Sequence, residues 1–230
     1  MPYFAASVEI ARDRGFFDRI GLHLNLTFGT PLTEGIKKCR RICDCNGSFN
    51  GAFHTSALGR LLLTKAERLA ITEEVGAQMD KFVSYGFPLM HLDSHHHSHT
   101  DFSIVQIVLP LARKYGFQTI RLSRNVGQGL TMCKRLYKAL VNHIMCKGFL
   151  HADCFGDASG LDSVADRIPD NTVFEIMTHP TYWQNNDFSK YVAVGDMYDW
   201  HTPINVLEAI FHRHSDRIKK ITYADLLEKN

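Results

Sequence analysis

The sequence predicts an α/β fold with a mainly parallel sheet, arranged as a β/α barrel. Short apolar runs typical of strands alternate along the chain with longer stretches of helical periodicity, which is the order of parallel α/β proteins. Three strand candidates also carry polar side chains on one face, and a barrel places such faces where catalytic groups collect. An open doubly wound sheet is the alternative that the same order permits. No repeat or linker divides the chain, so we expect one domain over residues 1–230.

The elements follow one another at regular spacing. An opening helix is predicted to end near Gly15, and Thr72 indicates a local helix start within the helical pattern of residues 64–85. Residues 33–56 are polar and read as a long loop. The predicted strands are 20–29, 89–95, 118–124, 149–156 and 172–179. The further predicted helices are 104–115, 133–145, 159–168 and 205–212.

Composition excludes several classes of protein. The 230 residues are 45% hydrophobic and 22% charged, which allows a buried core. The formal net charge is +2 with interleaved signs, so we expect no nucleic-acid partner. No apolar run approaches the roughly 18 residues of a membrane span, and no signal peptide is evident, so we expect a cytoplasmic protein without membrane contact. The six cysteines are interpreted as free thiols, with zinc at Cys39, Cys43 and Cys45 as the less favoured alternative.

Polar residues recur with a period of two in three predicted strands, opposite an apolar face. The faces that bear histidine carry His23, Asn25 and Thr27, then His91, Asp93 and His95, then Glu175 and His179 on either side of Met177. Buried polar groups need partners, so these faces are expected to meet in a site. Isolated histidines, such as His54, are interpreted as surface or satisfied core residues.

The segment HLDSHHHSH places five histidines in the nine residues from His91 to His99. Charged imidazoles at this density would repel one another, and a divalent metal favours the neutral ring. Two ligand sets remain open. His95 and His99 are four residues apart and would share a helix face, or His95 pairs with His23 from another strand, with Asp93 behind them as an outer-sphere group. His91, His96 and His97 are expected to shape the pocket or its rim.

Four segments resemble, in order, motifs of the YdjC-like carbohydrate deacetylases, also called chito-oligosaccharide deacetylases. They are GLHLNLTFGTPL, HLDSHHHSH, TIRLSR and FEIMTHP, and the segment ADCFGD resembles one that lines the family's pocket. The resemblance implies a distorted β/α (TIM-like) barrel and a divalent metal, magnesium or zinc. It implies removal of N-acetyl groups from an acetylated amino sugar or oligosaccharide. In this chain it assigns His23 and His95 to the metal, His179 to the catalytic acid, and Arg121, Asp153 and Phe155 to the substrate.

The family pattern opens with a strand ending in Asn-Ala-Asp-Asp-Phe-Gly, and this chain has no such segment. We therefore expect an incomplete barrel, an internal origin for Met1, weak metal binding and low or no activity. Asp93 is then the one carboxylate in the cluster that could act as a base. The alternatives are another metallohydrolase, or a remnant that binds metal or sugar without turnover. Unpaired strand edges invite association, so a homodimer is expected.

Overall fold

The computed structural model describes residues 4–127, 129–178 and 204–228, and these form a mixed α/β fold. The helices are α1 (Phe4–Asp13), α2 (Glu34–Lys37), α3 (Ala52–Thr55), α4 (Ala57–Leu61), α5 (Lys65–Ser84), α6 (Phe102–Lys114), α7 (Met132–Met145), α8 (Ala158–Val164), α9 (Ile204–Arg213) and α10 (Tyr223–Glu228). The strands are β1 (Leu22–Leu24), β2 (His91–Ser94), β3 (Thr119–Ile120), β4 (Cys154–Gly156) and β5 (Phe174–Ile176). All the strand pairs of the described residues are parallel, as predicted.

The chain divides into two compact units. The first comprises Met1–Ser123, Tyr137–His151 and Ile221–Asn230, and the second comprises Arg124–Leu136 and Ala152–Lys220. The first contains a three-stranded sheet in the order β1-β2-β3, and the second a two-stranded sheet of β4 and β5. The described residues contain no closed barrel.

The sheet of the first unit shows why the strands form where they do. Leu22 and Leu24 of β1 are buried and His23 between them is exposed, which is the period of two predicted for a strand with one apolar face. In contrast, all four residues of β2 are buried. Apolar side chains from the sheet, α5 and α6 form one core, and its largest fully buried members include Phe53, Phe82, Leu24, Leu26, Ile71, Met79, Leu92, Ile104 and Ile120.

Helix α5 begins at Lys65, and the predicted start at Thr72 is wrong. Thr64 caps the helix, since its side chain accepts a hydrogen bond from the Glu67 backbone N–H while the Glu67 side chain accepts one from the Thr64 N–H. This reciprocal capping box satisfies two donors that a helix start leaves unpaired. Thr72 lies inside the helix, where its hydroxyl donates to the Arg68 carbonyl.

Residues 33–56 contain regular secondary structure, whereas the sequence predicts a long loop. They contain α2 and α3, and Phe49 forms antiparallel bridges with Gly29 and Cys43. Ile36, Ile42 and Phe53 are fully or almost fully buried, so the segment belongs to the core of the first unit. These apolar residues could not be recognised as core residues from the sequence, because the segment is mostly polar and they are spaced too irregularly to show a period.

The six cysteines are free thiols, as predicted. Burial raises the pKa of the Cys43 thiol to about 11, because the thiolate would lose its hydration. Neighbouring negative charges act in the same direction.

In the second unit, β4 pairs with β5 from Cys154↔Phe174 to Gly156↔Ile176. A small core of Ala158, Leu161, Ala165 and Ile210 joins α8 to α9. Among the described helices of both units, none combines the length and apolar character that crossing a membrane requires.

Candidate active site

Polar side chains of the first unit gather at the carboxyl ends of its three parallel strands. His23 lies on β1, Asp93 and Ser94 end β2, His95 follows β2 directly, and Arg121 follows β3. The carboxyl ends of parallel strands are the usual place for ligand sites in α/β proteins, because loops from neighbouring strands converge there. The parity of the sequence pattern predicted this grouping for His23, Asp93 and His95.

Asp93 joins two strands through its side chain. It faces His23 across the register of β1 and β2, and its Oδ1 lies 2.7 Å from His23 Nδ1. Its Oδ2 forms an ion pair with Nη1 of Arg121. Burial alone raises the pKa of Asp93, but the His23 hydrogen bond and the Arg121 charge outweigh burial and hold the pKa well below its usual range. Asp93 is thus an ionised group that orients its neighbours.

His95 is oriented by the loop that follows β1. The Asn25 side-chain oxygen accepts hydrogen bonds from the backbone N–H groups of Thr27 (3.1 Å) and Phe28 (3.2 Å), which ends the strand and turns the chain. The turn brings the Thr27 hydroxyl to 2.7 Å from His95 Nδ1. The Phe28 ring lies beside the same imidazole, with centroids 6.3 Å apart.

The His23 and His95 rings lie close together, and each is held through its Nδ1 atom. Their centroids are 6.0 Å apart and their planes lie at 80°. Each ring has Nδ1 engaged, by Asp93 in one case and by Thr27 in the other, which selects Nε2 as the nitrogen for a metal. Imidazole nitrogens are ligands that divalent metals such as zinc accept. Catalytic zinc sites usually have three protein ligands, and the described part of the chain holds no group of three His, Cys, Asp or Glu side chains placed around one ion.

His99 is not a ligand, and the alternative that paired it with His95 is wrong. It is fully buried, with Ser94 Oγ 2.6 Å from its Nδ1 and the Arg121 carbonyl 2.9 Å from its Nε2. Both ring nitrogens are engaged when Nε2–H donates to the carbonyl and the Ser94 hydroxyl donates to Nδ1. Burial lowers the pKa of His99 to about 4, so the ring is a neutral structural residue.

His91 also lies away from the site, which corrects its predicted place in the pocket. It begins β2, at the opposite end of the strand from Asp93, and its Nδ1 lies 3.0 Å from the Thr119 hydroxyl. Its ring stacks on Tyr223 with centroids 3.9 Å apart. Burial lowers the pKa of His91 to about 3, because the charged ring would be desolvated.

A small cavity of about 90 Å³ lies beside His23. Its lining includes Phe4, Leu22, Phe49, Glu74, Gln78 and Phe82. Sites for drug-sized ligands have volumes of roughly 300–1,000 Å³. This cavity therefore suits a small group and not a whole sugar ring.

Three of the predicted site residues are not among the described residues of the first unit. His179 is outside the described residues. Asp153 and Phe155 belong to the second unit, where Asp153 Oδ2 accepts a hydrogen bond from the Val173 backbone N–H (2.8 Å) and the Phe155 side chain is fully buried. Their roles with substrate stay predictions.

Sequence reasoning missed a second histidine–aspartate pair in the first unit. His54 Nδ1 lies 2.7 Å from Asp101 Oδ2, and both side chains are largely buried. An isolated histidine 47 positions from its partner gives no periodic signal. The one local sign is the aspartate directly before helix α6, where acidic residues are also common as helix caps.

Comparisons with known proteins agree with the motifs of the sequence. The YdjC-like protein family matches residues 1–209. A carbohydrate deacetylase of Brevibacillus brevis is 30% identical over 98% of this chain and 85% of its own length. Carbohydrate deacetylase 1 of Listeria innocua is 30% identical over 79% of this chain and 66% of its own length. In fold, a protein of Enterococcus faecalis V583 described as a cellobiose-phosphate cleavage protein matches with a TM-score of 0.67 at 21% identity, covering 98% of this chain and 84% of that one. The chain belongs to the YdjC-like protein family.

Proposed function

We propose that this protein is a hydrolase that removes acetyl groups from the amino nitrogen of acetylated amino sugars, with chito-oligosaccharides as the substrate class. The names of the relatives, carbohydrate deacetylases, support the activity. The single structural observation that carries the proposal is the His23–His95 pair, in which Asp93 and Thr27 engage Nδ1 of the two rings.

The reaction requires activation of two poor reactants. Water adds to the acetamide carbonyl, the C–N bond breaks, and the products are acetate and an amine that takes up a proton. We propose His179 as the proton donor to the departing nitrogen, since imidazole is the usual side chain for proton transfer near neutral pH.

His23 and His95 are proposed to hold a divalent metal through Nε2. When bound, such an ion polarises the carbonyl and makes water more acidic. Imidazole nitrogen is a ligand that suits zinc, whereas magnesium prefers oxygen, so this pair favours zinc over magnesium. We propose no third protein ligand from the described residues.

Asp93 is proposed as a positioning residue and not as the base. Both of its oxygens are engaged, and a carboxylate with a strongly lowered pKa accepts protons poorly. Arg121 is proposed to orient substrate while it neutralises Asp93, and its side chain is 17% exposed.

Asp153 and Phe155 are retained as substrate-binding residues. The distorted, incomplete barrel and the homodimer stay predictions.

The test is acetate release from N-acetylglucosamine and N,N′-diacetylchitobiose by the purified protein with zinc or magnesium. Because metal binding is expected to be weak, we expect low release, which a chelator abolishes and His95→Ala removes. His143→Ala is the matched control, because His143 is an exposed histidine on α7. Metal-dependent sugar binding without acetate release would support the non-catalytic alternative. Release that His95→Ala leaves unchanged would contradict the proposed site.

A further inference from the structure

A second histidine–aspartate pair lies beside the proposed metal ligands. His54 is on α3 and Asp101 directly precedes α6, and the Nδ1–Oδ2 distance is 2.7 Å. The His54 side chain is 15% exposed and that of Asp101 is 4% exposed. The buried Asp101 carboxylate thus holds the His54 ring, while part of the ring remains accessible to solvent.

Arg60 contacts both members of this pair. Its Nε donates to the His54 carbonyl at 2.5 Å and lies 3.7 Å from Asp101 Oδ1. A buried carboxylate is costly unless it is paired, and here it has both an imidazole and a guanidinium. The arrangement fixes the ring orientation of His54 in the way that an aspartate fixes a catalytic or metal-binding histidine.

A continuous row of rings connects His54 to the proposed metal site. The His54 and His96 rings are stacked, with centroids 6.1 Å apart and planes at 15°. His96 in turn lies against His95, with centroids 3.9 Å apart. His54 is therefore two ring contacts from a proposed metal ligand.

The backbone adopts an unfavourable conformation to build this row. His96 has φ 53° and ψ 20°, and His97 has φ 57° and ψ 25°, both in the left-handed region. Residues with a side chain rarely adopt this conformation, because Cβ comes too close to the following carbonyl oxygen. Contacts on both sides sustain it: the Thr100 hydroxyl donates to the His97 carbonyl (2.8 Å), and the His99 N–H donates to Ser94 Oγ (2.9 Å). Strain of this kind concentrates at functional sites.

We propose that His54, oriented by Asp101, binds the second sugar unit of the substrate, with the exposed His96 ring as its neighbour in the same subsite. This proposal rests on the proposed function. With Nδ1–H donated to Asp101, Nε2 of the neutral ring accepts a hydrogen bond, and in the charged ring it donates one. A sugar hydroxyl both donates and accepts, so it suits either form. His54 therefore affects how strongly the protein prefers a disaccharide over a monosaccharide. It does not act on the amide that is hydrolysed.

Two variants separate sugar binding from a purely structural role. In His54→Asn, the side-chain amide stands near the position of Nδ1, so it retains a donor for Asp101 and lacks Nε2. In His54→Gln, the amide reaches towards the position of Nε2 and gives up the donor to Asp101. A structural role predicts that Asn is tolerated better than Gln, and sugar binding predicts that Asn loses the disaccharide contact.

The experiment measures the dissociation constants of N-acetylglucosamine and N,N′-diacetylchitobiose by saturation-transfer NMR, with wild type and both variants. We expect wild type to prefer the disaccharide. His54→Asn should bind the disaccharide about fivefold more weakly, the loss of roughly one hydrogen bond, with monosaccharide binding and thermal midpoint unchanged. His54→Gln should retain part of the preference even if its thermal midpoint falls.

The outcomes distinguish this inference from the function on which it rests. A wild type that prefers the disaccharide, with an equal preference in His54→Asn, would overturn the subsite and leave the proposed function intact. Equal affinity of wild type for both sugars would also overturn the subsite. Binding of neither sugar would overturn both proposals.

Discussion

His23 and Asp93 are direct neighbours across the parallel strands β1 and β2, and His23 Nδ1 lies 2.7 Å from Asp93 Oδ1. The contact is a consequence of strand register. Side chains alternate between the faces of a sheet, so a slip of one residue would move Asp93 to the opposite face. The same pairing that buries Leu22 and Leu92 thus sets the orientation of the His23 ring.

Asp93→Asn tests whether this carboxylate holds both neighbours. The change keeps the size of the side chain, removes its charge and leaves the Arg121 guanidinium without its ion-pair partner. We expect a loss of about 3–5 kcal/mol in the free energy of unfolding, as for a broken buried pair. Zinc affinity should fall by about 10–100-fold, because a neutral amide holds the His23 Nδ1–H group more weakly than a carboxylate does. Urea titration and calorimetric zinc titration measure the two effects.

Asp18→Asn is the control for that variant. Asp18 lies 4.0 Å from Arg19, and both side chains are about two-thirds exposed. Exposed pairs contribute little, so stability should change by less than about 1 kcal/mol and zinc affinity should not change. Equal effects of the two substitutions would refute a special role for Asp93.

Thr27→Val tests the orientation of His95. Valine keeps the shape of threonine and removes the hydroxyl that lies 2.7 Å from His95 Nδ1. We expect zinc affinity to fall by about 10–100-fold through loss of this outer-sphere partner, with a change in unfolding free energy of about 1 kcal/mol. Thr72→Val on α5 removes a hydroxyl that donates to the Arg68 carbonyl of the same helix, so it should leave zinc affinity unchanged. An unchanged affinity in Thr27→Val would count against the proposed ligand His95.

The lowered pKa of His99 predicts that the stability of the folded protein depends on pH. This pKa is about 4 in the folded chain, against about 6.5 for an unperturbed histidine. Between these values the unfolded chain binds more protons, so the free energy of unfolding falls as the pH falls, by about 1.4 kcal/mol per pH unit, and no further below about pH 4. Replacing His99 with Gln removes this component. The stability difference between wild type and variant should therefore shrink from pH 7 to pH 4 in urea titrations, and a constant difference would contradict the assignment.

Glu74→Gln tests the anchor of the loop that follows β1. The buried carboxylate accepts hydrogen bonds from the backbone N–H groups of Leu32 (3.0 Å) and Thr33 (2.8 Å) and from the Thr33 hydroxyl (2.8 Å). A glutamine amide would turn an N–H towards one of these donors, so we expect a loss of about 3 kcal/mol in unfolding free energy. The exposed neighbour provides the control, Glu73→Gln, for which little change is expected. A loss of stability in the control alone would contradict this account.

The sequence allowed prediction of the parallel α/β class and of the contact between His23 and Asp93, because period-two patterns depend only on local geometry. The spacing alone could not decide whether His23 or His99 pairs with His95, since the choice depends on a turn in which His96 and His97 adopt the left-handed region. Nor could it indicate the His54–Asp101 pair, whose partners come from distant segments with no shared periodicity. The first predicted strand is shorter in the structure, because the Asn25 side chain bonds to the backbone and turns the chain after Leu24.

X-ray absorption of the zinc-loaded protein tests the central claim most directly, that His23 and His95 together hold one divalent ion. We predict two imidazole ligands for each zinc ion in wild type, and one in each of His23→Ala and His95→Ala. An imidazole count that neither substitution lowers, or a first shell of cysteine sulfur, would contradict the account.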